Sequence, residues 1–196
     1  MGLASAADLM FQVDLAARRS AVAAYGARQG GESRVFIDFA PTSIYDPAYC
    51  LKTTFQAVPA AGIRPDQVVF EVTESEHVGD LATLTDVLAH YREAGFGVAL
   101  DDLGSGYASL NLLHVLKPDF VKLDMELIRD VDARPHKAAL AGKLLEAAAA
   151  MGIRTVAEGV ETGGEYRWVR DHGADLVQGF LIERPDPELA EAGPDL

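Results

Sequence analysis

Two adjacent aspartates, Asp101 and Asp102, close the strand-like run VALDDL, and Gly104 and Gly106 follow them. Adjacent carboxylates repel, so their placement calls for positive charge nearby. Polar groups close the other strand-like runs as well. Asp38 ends the first, Glu71 and Glu74 the second, Lys122 and Asp124 the fourth, Glu158 and Glu161 the fifth, and Gln178 the sixth. Side chains alternate along a strand. Val69, Glu71 and Thr73 therefore share a face, as do Ala99 and Asp101, and Val156 and Glu158. If the strands converge on one mouth, Glu71, Asp101, Lys122 and Glu158 can point into one small volume. Carboxylates gathered in this way repel one another unless divalent cations sit among them. An all-oxygen donor set without thiolates suits Mg²⁺ or Mn²⁺. Adjacent aspartates can serve two such ions roughly 3.5–4 Å apart, which supports in-line displacement at phosphorus. Lys122 would orient or polarise the attacking water.

Each element also has a plainer reading. Asp101 and Asp102 can cap the following turn. Lys122 can be an interior lysine paired with Asp124, and Glu158 and Glu161 can be solvated turn residues. Gly104 and Gly106 can supply turn geometry alone. The five histidines are scattered and read as structural or surface groups. The functional reading rests on coincidence, because a polar group of the right kind closes every strand.

The elements that must position these groups alternate regularly. Phe11, Leu15, Val22 and Tyr25 share a helical face, with Gly26, Gly30 and Gly31 ending that helix. RVFIDFAP is a strand. A helix follows with Asp46 as N-cap, Pro47 at its first position and Pro59 at its end. QVVFEVTES is a strand, and residues 80–95 form a helix with Leu81, Leu84, Leu88 and Tyr91 on one face. GVALDDL, FVKLDMELI, RTVAEGVE and DLVQGFLI are the remaining strands. Between them lie YASLNLLHVL, an alanine-rich helix from Pro135 to Met151 ended by Gly152, and a helix opened by the capping box of Thr162 and Glu165. This pattern predicts an α/β fold with parallel strands. Its regular spacing, without a glycine-rich dinucleotide turn, favours a TIM-type (β/α) barrel. About six βα units fit in this chain, short of the eight of a complete barrel.

Composition sets the outer limits. The chain has 196 residues, 49% of them hydrophobic, which suits one domain with a sizeable core. Its net charge of −13 disfavours nucleic acid polymers as partners. Cys50 is the single cysteine, so no intrachain disulfide forms, and a cytoplasmic setting is the simple expectation. No apolar run is long enough for a membrane span, and Asp8 and Asp14 interrupt the N-terminal apolar stretch.

FEVTES, ALDDLGSGYASL, FVKLD, VAEGVET and QGFLIERP occur in this order, and VFIDFAPTSIYDP precedes them. Together they resemble the EAL-domain family from about Phe11 to Pro185. The resemblance implies a (β/α) barrel that hydrolyses cyclic di-GMP to linear pGpG with Mg²⁺ or Mn²⁺. It implies that Glu71 and Asp101 are metal ligands, with Asp101 bridging two ions, and that Asp102 binds the second. Lys122 would sit beside the nucleophilic water. Glu158 would ligate a metal and help deprotonate that water, and Gln178 would join the water and substrate network. Glu74 resembles the glutamate that holds the DDLGSGY loop, which in the family lies by a homodimer interface.

The chain departs from the family pattern in two places. The Glu-Ala-Leu signature, carried on an early strand, is absent. With it go one metal-binding glutamate, a substrate-contacting arginine and about two barrel strands. Asp38 stands where the family usually has an asparagine ligand. The expectation is a single, N-terminally truncated EAL-like domain over residues 1–196, with 186–196 a frayed tail. Beside the enzyme stands a second reading, a degenerate module that binds cyclic di-GMP or a protein partner without turnover. A third, an enolase-like barrel, also uses carboxylates and lysine with Mg²⁺. The pairing of DDLGSGY with AEGVET argues against it.

Overall fold

The computed structural model describes residues 6–28, 33–39, 47–73, 81–104 and 109–185. Contacts divide the chain into two units, Met1–Ala99 and Leu100–Leu196.

The first unit holds α1 (Ala6–Ala27), β1 (Val35–Asp38), α2 (Pro47–Ala60), β2 (Val68–Thr73), α3 (Leu81–Glu93) and the start of β3 (Gly97–Leu103). Leu15, Val22 and Tyr25 of α1 are buried along the predicted stripe, and Leu84, Leu88 and Tyr91 do the same on α3. The stripe of α1 also carries Arg18, only 3% exposed. Its guanidinium pairs with Asp14 one turn earlier and lies 4.4 Å over the Phe39 ring. Burial of an arginine requires such partners.

Two helix ends differ from expectation. Gly26 does not stop α1, which continues to Ala27. A Cβ at Gly26 would lie 2.4 Å from the Ala61 carbonyl oxygen, so this glycine serves the close approach of the chain after α2. Pro59 lies inside α2, which ends at Ala60. A proline's own φ suits a helix, and its missing N–H matters little so near the end. The proposed cap Asp46 lies outside the described residues.

β1 and β2 pair in parallel, from Val35↔Val68 to Asp38↔Glu71. Val68, Val69, Phe70 and Val72 are wholly buried, as expected of a parallel strand covered on both faces. Phe70 packs against Tyr91 at 4.4 Å, and Phe39, Phe55 and Phe96 complete the aromatic cluster.

The second unit continues β3 and adds α4 (Ser109–Leu116), β4 (Phe120–Leu123), α5 (Met125–Ile128), α6 (Pro135–Ala150), β5 (Arg154–Ala157), α7 (Gly163–Asp171) and β6 (Leu176–Val177). β4 pairs in parallel with β5, and β5 with β6. FVKLDMELI is therefore a strand only in its first half. The Asp124 carboxylate accepts from the Glu126 N–H at 2.7 Å and starts α5 there. A side-chain cap overrides an apolar run that periodicity alone cannot resolve. DLVQGFLI shortens too. A Cβ at Gly179 would lie 2.2 Å from the Val160 carbonyl oxygen, so the chain there presses on backbone instead of extending the ladder. α6 ends as predicted, with Met151 as C-cap and Gly152 at φ +70°. Thr162 and Glu165 form the predicted capping box.

Within each unit, strands adjacent in sequence are adjacent in the sheet: β1-β2-β3 in the first, β3-β4-β5-β6 in the second. That sequential order belongs to (β/α) barrels and not to doubly wound sheets, whose order reverses at a switch point. Among the described residues, no helix is long and apolar enough to cross a membrane.

Candidate functional site

Strand ends in the second unit are tied in sequence by backbone hydrogen bonds. The Asp124 N–H donates to the Leu103 carbonyl at 3.2 Å, Glu158 N–H to Leu123 at 3.1 Å, and Gln178 N–H to Ala157 at 2.9 Å. This ladder sets the C-terminal ends of β3, β4, β5 and β6 side by side.

Asp101, Lys122 and Glu158 meet there. The Lys122 ammonium lies 3.0 Å from Asp101 Oδ1 and 2.7 Å from Glu158 Oε1. The three side chains are only 6, 12 and 14% exposed for Lys122, Asp101 and Glu158. The positive charge that the aspartate pair calls for is thus supplied within the chain. One ammonium between buried carboxylates leaves the cluster net negative.

Asp102 completes it. Its backbone takes φ +58°, the left-handed region, and its N–H donates to Asp101 Oδ1 at 2.9 Å. Aspartate tolerates that region better than most residues. Burial pushes the Asp102 carboxyl above its ordinary value, and the charges of Asp101 and Asp124 add to the rise against the opposing pull of Lys122. Asp101, Asp102 and Glu158 each offer a carboxylate oxygen, and these atoms lie within 4.8 Å of one another. Hard, anionic, closely spaced oxygens are the donor set that Mg²⁺ or Mn²⁺ takes.

Two glycines stand close to these residues in the chain. Gly104 has φ +106°, and a Cβ there would lie 2.3 Å from Leu127 Cδ1. Gly159, next to Glu158, has φ +64°, and its Cβ would lie 2.4 Å from that of Met125.

Gln178 follows β6 and is exposed, with its backbone N–H on Ala157 and its carbonyl accepting from Val160. Glu161 is drawn off to Arg129 at 2.5 Å. In the first unit, Asp38 ends β1 and stands opposite Glu71, two residues before the end of β2, with Glu71 buried and Asp38 exposed. Glu74 and Gly106 lie outside the described residues.

Sequence reasoning missed the reach of Glu165. Beyond its capping box, this 2% exposed carboxylate accepts from the Asp130 N–H at 2.8 Å and the Glu161 N–H at 2.9 Å. It thereby fixes the segment that follows Glu158. The capping motif was the available signal, but long-range acceptors leave none in sequence.

The probable cyclic di-GMP phosphodiesterase PdeB of Escherichia coli is 36% identical over 126 residues, 64% of this chain and 23% of that protein. The blue light- and temperature-regulated antirepressor BluF, also of Escherichia coli, is 26% identical over 175 residues, 89% of this chain and 43% of BluF. The chain thus spans less than half the length of these curated relatives. BlrP1 of Klebsiella pneumoniae, solved with manganese and cyclic di-GMP, superposes with a TM-score of 0.85 at 37% identity, over 93% of this chain and 46% of BlrP1. The model of the EAL domain matches residues 1–185, and by that match the chain belongs to the EAL-domain family.

Proposed function

We propose that the chain is a metal-dependent phosphodiesterase that hydrolyses cyclic di-GMP to linear pGpG in bacterial second-messenger signalling, in the cytoplasm. The observation that carries this reading is the Lys122 ammonium held between Asp101 and Glu158, with Asp102 beside them. Asp101, Asp102 and Glu158 would hold divalent cations, Mg²⁺ or Mn²⁺. Asp38 and Glu71 are assigned to the same task by the family resemblance. When bound, two cations would neutralise phosphate charge and lower the pKa of the attacking water.

The chain's own groups do the rest. Lys122 orients the water by donating to it, and Glu158 accepts its proton. Gln178 hydrogen-bonds in the water and substrate network. The water oxygen attacks one phosphorus in line, and the bond to the ribose 3′ oxygen breaks. One water is consumed, leaving a 5′ phosphate and a 3′ hydroxyl.

BluF, named an antirepressor and matched over 89% of this chain, favours a second reading. In it the module binds cyclic di-GMP or a protein partner without turnover, and the Asp38 substitution fits that role.

Incubation of the purified chain with cyclic di-GMP and Mn²⁺, followed by chromatography, separates the two. The enzyme reading expects linear dinucleotide from the wild type and none from Asp101→Asn. A folded chain that binds cyclic di-GMP but releases no product establishes the second reading instead.

A further inference from the structure

The opposite ends of β4 and β5 frame a different cavity, independent of the carboxylate cluster. It measures about 610 Å³ and lies wholly within the second unit. Arg154 opens β5 and Glu158 follows it, so about 13 Å of strand separates the cavity from the cluster.

Three basic side chains, His114, Lys117 and Arg154, line this cavity, against one acid, Asp119. With histidine counted neutral, as in the chain's net charge of −13, the lining carries two cations against one anion. The Arg154 guanidinium lies 3.8 Å over the Phe120 ring, which fixes its plane. A fixed planar fork matches phosphate oxygens in pairs. Lys117 holds φ +45°, a conformation that glycine adopts more cheaply. Pro118 follows and keeps the chain from continuing α4, so the lysine is planted at the rim by backbone geometry. The Lys117 N–H donates to the Leu113 carbonyl at 3.1 Å, so this conformation is the left-handed cap that ends α4. Leu113, Ile153 and Met151 supply an apolar wall. The volume falls in the range that takes small ligands.

We propose that this cavity binds a small phosphate monoester with a flat apolar body, of mononucleotide size. The phosphate faces Lys117 and Arg154, and the body lies on the apolar wall.

Calorimetric titration of the full chain in chelator, so that no divalent cation enters the other site, tests this. The probes are adenosine 5′-monophosphate, inorganic phosphate and adenosine. The monophosphate is expected to bind saturably, and about tenfold more weakly to Lys117→Gly or Arg154→Gln. Inorganic phosphate and adenosine should each bind more weakly than the ester. Lys117→Gly relaxes the backbone, so it decides the matter if Arg154→Gln fails to fold. Absence of saturable binding, or binding unchanged by Lys117→Gly, overturns the proposal. Inorganic phosphate binding as tightly as the ester removes the apolar contact from it, and adenosine doing so removes the anion; either result also overturns it.

Discussion

Lys122 Nζ sits 2.7 Å from Glu158 Oε1 although Lys122 pairs in register with Val156, two residues earlier on the neighbouring strand. The lysine therefore leans along the strand direction toward the end of the sheet, and there it also meets Asp101. Replacing it with a neutral side chain leaves two buried carboxylates without their shared cation. Lys122→Met should lose about 3–5 kcal/mol of stability in metal-free buffer. At about 2–4 °C per kcal/mol for a chain of this size, the thermal midpoint falls on the order of 10 °C. Asp101→Asn, which removes a repulsion along with an attraction, should fall much less. Calorimetric melts of both variants check this.

A cluster with more carboxylate than ammonium should welcome a divalent cation. Mn²⁺ at about a hundredfold excess over its dissociation constant should add about 2.7 kcal/mol of stability. The gain should shrink in Asp102→Asn and grow in Lys122→Met, where the cation also relieves bare carboxylate repulsion. Chelator should reverse the gain and abolish hydrolysis. Melting curves across a Mn²⁺ titration read binding without relying on turnover, and an unchanged midpoint in the wild type would sink the metal assignment.

Glu165 gives the chain an acid-sensitive joint. Burial alone would raise its carboxyl, but N–H groups of Asp130, Glu161 and Thr162, with the Thr162 side chain, hold it below its ordinary value of 4.5. A group whose folded value is depressed contributes stability above its unfolded value and loses it as pH falls through the folded one. Urea midpoints should therefore drop from about pH 4.5 downward. Glu165→Gln, which cannot ionise, should flatten that limb. Glu165→Ala strands three donors and should cost about 2–4 kcal/mol at neutral pH.

The sequence makes the alternation of strands and helices legible because parallel strands and amphipathic helices carry different periods. GVALDDL matches β3 residue for residue. Asp101, Lys122 and Glu158 were legible as neighbours because each lies within two residues of the C-terminal end of its strand, on a face fixed by alternation. What sequence concealed depends on contacts between distant segments. Arg18 lies on an apolar stripe and looks misplaced until Phe39 and Asp14 surround it. Asp124 looks like one residue of a long strand until its carboxylate caps Glu126. Gly26 looks like a helix stop until Ala61 fills the space a Cβ would need.

Gly159 and Gly152 offer a matched comparison of strain with and without crowding. Both occupy the left-handed region, at φ +64° and +70°. A Cβ at Gly152 meets nothing within 4 Å, whereas at Gly159 it lies 2.4 Å from Met125 Cβ. Gly152→Ala should cost only the conformational term, about 1–2 kcal/mol, and leave turnover unchanged. Gly159→Ala carries the same term plus displacement of α5 or of the adjoining Glu158. It should lower the melting midpoint further and reduce kcat, with little change in KM, because the group that accepts the proton is moved. Equal midpoints for the two variants would mean that the Met125 contact yields freely.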